Sequence, residues 1–88
     1  MIRLQLAQWY IEAERWKAAE ELLTVVVEHT EENKLKAQGW LLIGIARYEQ
    51  RKILAAESAF SQAIQLPATR EAASQWLEFL STLPELRV

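Results

Sequence analysis

The only histidine of the chain, His29, is the first residue to consider for chemistry. It stands among carboxylates, with Glu28 before it and Glu31 and Glu32 after it. An imidazole beside carboxylates is typical of a general base or of a metal ligand. The sequence has no second histidine and no cysteine to complete such a site. We therefore interpret His29 as a solvated helix end, where the helix dipole favours a positive charge, and we predict neither a metal site nor a cofactor.

Four glutamates in the first half of the chain are a second candidate, because paired carboxylates are the acid and base of glycoside hydrolysis. They are Glu12, Glu14, Glu20 and Glu21. A catalytic pair must face each other across a cleft, whereas the apolar pattern around these residues places them on exposed helix faces and at a turn. We predict a solvated surface here and no enzymatic activity.

A cluster of positive charge at Arg47, Arg51 and Lys52 is a third candidate, as a nucleic-acid contact. Proteins that bind single strands combine such charges with aromatic rings that stack on the bases, and only Tyr48 adjoins this cluster. The formal net charge of −2 also opposes binding to a polyanion. We predict no nucleic-acid partner. The sequence has no run of about 20 apolar residues, so we predict no membrane insertion either.

The elements that carry these residues are predicted to be helices packed into one small domain. The chain has 88 residues, of which 51% are hydrophobic, with only two glycines and two prolines. This composition suits a soluble all-α protein, and the absence of cysteine leaves its compartment open. Apolar residues recur at helical spacing in five stretches, at about 2–14, 16–29, 34–50, 53–66 and 69–83. Each stretch is predicted to be a helix. Pro67 is expected to stop the fourth helix and Thr69 to cap the fifth.

The fragment 40–67 combines large and small residues on two predicted helices. Gly44 lies inside the predicted third helix. On the predicted fourth helix, Phe60 is flanked at helical spacing by Ala56 and Ala63. Glycine inside a helix costs about 1 kcal/mol relative to alanine, so its presence indicates a packing requirement. We predict that the ring of Phe60 lies over Gly44.

In its order of residues, this fragment resembles the tetratricopeptide repeat family. The residues that carry the resemblance are Trp40, Ile43, Gly44, Arg47, Tyr48, Ala56, Phe60, Ala63 and Pro67. The pattern recurs within the chain, since 37 positions separate Ala19 from Ala56 and also Leu23 from Phe60. The resemblance implies a right-handed α-α superhelix of two antiparallel helix pairs, closed by a C-terminal capping helix. It implies a single domain over residues 1–88, with repeat one at about 2–30, repeat two at about 34–67 and the capping helix at about 69–83.

The same resemblance implies a protein-interaction scaffold and not an enzyme. In this family the first helix of each pair lines a concave groove, where peptides or partner helices bind. Arg47 stands where the family prefers tyrosine. The positions at which some members clamp a C-terminal carboxylate with lysine and asparagine hold, in this chain, Leu4, Gln8, Leu41 and Ile45. We therefore expect an apolar ligand and no carboxylate clamp.

Carried over position by position, the predicted groove is mainly apolar with a polar rim. Its residues are Leu4, Gln8, Ile11 and Glu12 from the first helix, Gln38, Leu41, Ile45, Tyr48 and Glu49 from the third, and Ser74 and Leu77 from the fifth. The expected partner is an amphipathic helix or an apolar segment of a protein or peptide, or a second copy of the chain in a homodimer or larger assembly.

Two alternatives to this groove stay open. In one, the chain is the structural C-terminal end of a longer repeat solenoid, or a self-associating module, and has no separate ligand. In the other, the helices are rotated so that Leu41 and Ile45 belong to the core. The tryptophans are assigned in the same way: Trp16, Trp40 and Trp76 are predicted in the core, and Trp9 at its edge or in an exposed contact.

Overall fold

Helices form the whole of the fold that the structure describes. The computed structural model describes the backbone of residues 2–83 and the side chains of residues 5–83. No strand occurs within residues 2–83, so the predicted all-α class is confirmed. The elements are α1 (Ile2–Glu12), α2 (Trp16–His29), α3 (Asn33–Glu49), α4 (Ile53–Ala63), a 3-10 turn (Pro67–Thr69) and α5 (Arg70–Ser81).

Helix α3 lies at the centre of the fold, between α2 and α4. Connections of three residues join α3 to α2 and to α4. Because these connections are short, α3 runs antiparallel to both helices. Both glycines of the sequence are in α3, and each lets one neighbouring helix approach closely. A Cβ atom on Gly39 would collide with Cγ1 of Val27 in α2, and one on Gly44 would lie 2.5–2.7 Å from ring carbons of Phe60 in α4. The predicted contact between Gly44 and Phe60 is confirmed, whereas the contact between Gly39 and Val27 was not predicted.

The connection between α1 and α2 has the same conformation as the connection between α3 and α4. Glu14 and Arg51 both adopt the left-handed region, with φ of 59° and 64°, and 37 positions separate them. The backbone hydrogen bonds correspond as well. The amides of Glu14 and Arg15 donate to the carbonyls of Ile11 and Tyr10 in the first turn, and those of Arg51 and Lys52 donate to Tyr48 and Arg47 in the second. The period of 37 residues seen in the sequence is therefore also a period of the backbone.

Two apolar clusters make up the core. The first joins α1, α2 and α3 with a contribution from α4, and its buried members are Ala7, Ala19, Leu23, Val27, Ile43 and Ala59. The second joins α4 and α5 beneath the C-terminal half of α3, and its buried members are Ile53, Ala56, Phe60 and Leu80. Many of these residues are alanines, which is what allows the helix backbones to come close.

The tryptophans lie nearer the surface than predicted. Trp40 and Trp76 are only partly buried and pack against the outside of the first and the second cluster, respectively. Trp16 is also partly buried. Trp9 is 55% exposed, so of the two predictions for this residue the exposed contact fits the structure.

The end of α4 differs from the sequence-based expectation. The helix ends at Ala63, and Leu66, which was predicted to be its last residue, is extended with φ −107° and ψ 128°. The cause is Pro67, because proline disfavours the helical conformation in the residue before it. Thr69 stands directly before α5 as predicted, but its buried hydroxyl donates to the carbonyl of Ala63 at 2.7 Å. It therefore closes the end of α4 and makes no side-chain cap on α5.

These contacts produce a compact molecule. The radius of gyration is 12.3 Å, and a folded chain of this length is expected at about 12 Å. None of the helices in the described part of the chain has the length and apolar character needed to cross a membrane.

Candidate functional site

Aromatic side chains from three helices meet where α5 packs on the rest of the fold. The rings of Trp76 in α5 and Phe60 in α4 are stacked, with centroids 5.1 Å apart and planes 8° from parallel. Tyr48, in the last turn of α3, lies 5.5 Å from Trp76 and 5.7 Å from Phe79. Phe60 is fully buried beneath this group, whereas Phe79 is 43% exposed. The group thus extends from the core to the surface.

At the surface these rings line an open depression of about 340 Å³. We call its lining the aromatic patch, and its residues are Tyr48, Ala72, Gln75, Trp76 and Phe79. The guanidinium of Arg51 lies 5.9 Å from the centroid of the Tyr48 ring, so one edge of the patch carries positive charge. A mainly apolar depression with a single amide is suited to an apolar side chain whose neighbouring backbone needs a hydrogen bond.

The predicted groove residues fall into three groups in the structure. Gln8, Glu12, Glu49 and Ser74 are exposed, and Ile11 and Gln38 are partly buried. Leu41, Ile45, Tyr48 and Leu77 are partly buried and pack against the second core cluster. The side chain of Leu4 lies outside the described residues. The apolar groove positions therefore contribute to the core on one side while part of their surface stays accessible.

Only Tyr48 belongs to both the predicted groove and the aromatic patch. Ala72, Gln75 and Phe79 were missed, although the sequence contains a signal for them. Ala72, Trp76 and Phe79 are spaced by four and then three residues, which places them on one face of α5. Trp76 was predicted in the core, and no role was predicted for Ala72, Gln75 or Phe79.

A partly buried group of polar side chains joins α2 to α3 and α4. The carboxylate of Glu20 in α2 accepts hydrogen bonds from Arg47 Nε at 2.9 Å, Gln50 Nε2 at 2.8 Å and Lys52 Nζ at 3.3 Å. Arg47 also donates to the carbonyl of Ala55 in α4 at 3.0 Å. We call Glu20, Arg47, Gln50 and Lys52 the polar cluster. It corrects the prediction that Glu20 is a solvated residue, and it shows that Arg47 and Lys52 of the positively charged cluster pair with Glu20.

Two opposing effects act on the pKa of Glu20. Burial raises the pKa, but the hydrogen bonds from Arg47, Gln50 and Lys52 and the charge of Lys52 outweigh it, so the pKa of Glu20 lies below its ordinary value. The side chain is only 17% exposed, so its carboxylate depends on these donors for stabilisation. The cluster links α2 to α3, to the turn that follows it and to α4.

The residues first considered for catalysis are not assembled into a site. His29 is exposed, and its Nδ1 donates to the carbonyl of Val25 at 2.9 Å, within its own helix. Within the described residues, no three His, Cys, Asp or Glu side chains come together in a way that could hold a metal ion. The aromatic patch is therefore the feature on which a function can be argued.

Compared with models of protein families, with curated proteins and with solved structures, the chain has no match. The resemblance to the tetratricopeptide repeat consequently depends on the residues of fragment 40–67 and on the period of 37 residues.

Proposed function

We propose that this chain is a protein-interaction module of the tetratricopeptide repeat type, which binds an apolar segment of a partner protein at the aromatic patch. In this proposal α1 with α2 and α3 with α4 are two antiparallel pairs of a right-handed superhelix, and α5 is its capping helix. The two identical turns, 37 residues apart, and the seating of Phe60 over Gly44 support this arrangement.

The observation that carries the proposal is the exposure of aromatic surface around a formed depression. Phe79 is 43% exposed although it is in edge-to-face contact with both Tyr48 and Trp76. Tryptophan and tyrosine are enriched among the residues that dominate binding energy at protein interfaces. Because the rings support one another, little side-chain entropy is lost when a partner binds.

The lining of the patch indicates what the partner presents. One leucine-sized or aromatic side chain fits over Tyr48, Trp76 and Phe79, and the amide of Gln75 can donate to and accept from the backbone or a polar side chain beside it. Leu41 and Ile45 of the predicted groove are partly buried, and their spacing of four and three residues places them on the same face of α3 as Tyr48. An amphipathic helix with anchors one turn apart matches such a surface.

The experiment is a selection of random peptides displayed on phage against the full chain. We expect selected peptides to carry an apolar or aromatic anchor, and to lose binding to Phe79→Asp. The control is Leu54→Asp, since Leu54 is 71% exposed on α4 and is not part of the patch. Ile45→Asp is a poorer test, because Ile45 packs against the second core cluster and its replacement destabilises the fold.

The proposal is contradicted if no peptide is enriched, or if the enriched peptides bind Phe79→Asp as well as the unchanged chain. Circular dichroism of both variants establishes that the helices are intact.

A further inference from the structure

Helix α1 has a second apolar side that remains exposed among the described residues 5–83. Ala7 is fully buried and Tyr10 packs against the first core cluster, which is the side that faces α2. Leu6 is 42% exposed and Trp9 is 55% exposed, and with the exposed Ala13 they are spaced by three and then four residues. They therefore form a separate stripe along the helix and the first residue of the turn that follows it, where the amide of Ala13 still donates to the carbonyl of Trp9. We call Leu6, Trp9 and Ala13 the α1 stripe.

The period of 37 residues identifies the corresponding positions in α3. Leu6 corresponds to Ile43 and Trp9 to Ala46, and both of these residues of α3 are fully buried. Ile43 belongs to the same cluster as Leu23 and Val27 of α2. The face that α1 leaves in solvent is thus the face that α3 packs against the preceding helix.

We propose that the α1 stripe binds an amphipathic helix of a partner protein, which packs on α1 as α2 packs on α3. The stripe adjoins an interface that the fold already contains. The first core cluster joins α2 to α3 and continues into α1 through Ala7 and Tyr10. The partner helix presents an apolar stripe equivalent to Leu23 and Val27, two residues separated by one helical turn.

The helices α2 and α4 of a second copy of the chain do not offer such a stripe. Leu23 and Val27 of α2 are already buried, and the corresponding face of α4 is covered where Phe60 stacks on Trp76 of α5. An occupant that resembles α2 is for this reason not α2 or α4 of a second copy.

The polar surroundings also define the partner. The carboxylate of Glu20 in α2 accepts hydrogen bonds from Arg47 in α3 and from Gln50 and Lys52 in the turn that follows α3. The corresponding positions around α1 hold Tyr10, Ala13 and Arg15, so two of the three donors are missing. A partner helix is expected to have a neutral residue at the position that Glu20 occupies in α2. A carboxylate at that position of the partner would lie against apolar surface of α1, with one cation in place of the three donors that Glu20 has.

The test uses α2 itself as the probe. A fluorescent peptide with the sequence of Trp16–His29 and the change Glu20→Gln is added to the full chain, and binding is followed by anisotropy. A lactam between Lys17 and Glu21, which are both exposed in the fold, holds the peptide helical, because isolated helices of this length are marginal in water. The control peptide carries Leu23→Asp and Val27→Asp.

We expect the probe to bind the unchanged chain and to bind Leu6→Asp and Trp9→Gln at least about ten-fold more weakly. Binding to Leu54→Asp, which alters an exposed apolar residue on α4, should be unchanged, as should the circular dichroism of all three variants. The proposal is overturned if the probe does not bind, or if its binding is insensitive to the α1 changes, which would mean that it displaces α2 or binds elsewhere. It is also overturned if the chain alone forms a dimer in sedimentation that Leu6→Asp dissociates, because the stripe is then the contact of a second copy.

Discussion

At the scale of single residues, Glu20 shows how one side chain can connect three helices. Its carboxylate accepts hydrogen bonds from Arg47 in α3 and from Gln50 in the following turn. Arg47 also donates to the carbonyl of Ala55 in α4. A hydrogen bond to a charged group contributes about 1.5–3 kcal/mol, but the three bonds to Glu20 do not simply add, because Arg47 and Lys52 are partly exposed and water can replace the carboxylate as their partner. We therefore expect Glu20→Ala to lower the free energy of unfolding by about 1–3 kcal/mol, measured in urea. The matched control is Glu21→Ala, an exposed residue of the same helix, which should leave the midpoint nearly unchanged.

The same residue makes stability depend on pH. The pKa of Glu20 is lower in the folded protein than its ordinary value of 4.5, so its ionised form stabilises the fold at higher pH. This contribution is complete above about pH 4.5 and is lost as the pH falls through the lowered pKa. The difference in unfolding free energy between the unchanged chain and Glu20→Gln should therefore shrink on acidification. A difference that is constant down to about pH 3 would mean that the carboxylate is not held by its donors.

Gly44 is a second residue whose role can be isolated. Alanine at this position gains about 1 kcal/mol of helix propensity, but its Cβ would lie 2.5–2.7 Å from ring carbons of Phe60. The ring cannot retreat freely because it is stacked on Trp76. We expect Gly44→Ala to cause a net loss of up to about 2 kcal/mol, since overpacking costs about 1–3 kcal/mol and the gain in propensity offsets about 1 kcal/mol of it.

The control for Gly44 is the same change in a Phe60→Leu background. There the ring is absent, and the propensity of alanine should make Gly44→Ala neutral or stabilising. If the loss is the same in both backgrounds, the ring of Phe60 is not its cause.

At the scale of elements, the two turns at Glu14 and Arg51 carry comparable backbone strain. Both residues have positive φ, which costs a non-glycine residue about 1–2 kcal/mol. Glu14→Gly should raise the free energy of unfolding by about 0.5–1 kcal/mol. Arg51→Gly should gain less, because it removes the cation–π contact with Tyr48, which is worth about 0.5–1 kcal/mol at an exposed site. Equal gains in thermal denaturation would show that this contact contributes nothing.

Helix α5 is an element that the remaining fold needs. Without it, the fully buried Phe60 loses the stacked ring of Trp76, and the second core cluster loses Leu80. A chain that ends at Leu66 should therefore bind a hydrophobic dye and unfold without a cooperative transition, as terminal elements of repeat arrays protect the apolar face beneath them. Cooperative melting of this shortened chain, with little dye binding, would show that α5 is dispensable.

At the scale of the whole molecule, the sequence predicts the elements well because local signals determine them. The helical period of apolar residues is a local signal, and the pairing of Phe60 with Gly44 follows from matching a large with a small residue on two successive helices. Both predictions are confirmed. The end of α4 was misplaced, since the effect of Pro67 on Leu66 was not applied. The polar cluster was missed because Glu20 lies 27–32 positions from its three donors, and nothing local distinguishes Glu20 from a solvated glutamate.

The candidate site was predicted only in part for a related reason. Tyr48 was identified through its position in the repeat, but Gln75 and Phe79 depend on how α5 is rotated about its axis as it packs on α4. That rotation follows the turn at 64–69, where Thr69 and Arg70 donate to the carbonyls of Ala63 and Ile64. These tertiary hydrogen bonds have no periodic signature, so the accessible face of α5 could not be read from spacing alone.

The packing of each helix chiefly on its neighbours along the chain also determines how the molecule folds in time. Contacts between adjacent elements close short loops, so little chain entropy is lost before a contact forms. Helical proteins of low contact order fold in microseconds to milliseconds. After rapid dilution from denaturant, the main change in tryptophan fluorescence should therefore be complete within milliseconds. Because α3 contacts both flanking helices, the folding nucleus should lie in α2, α3 and α4, with α1 and α5 joining after the transition state.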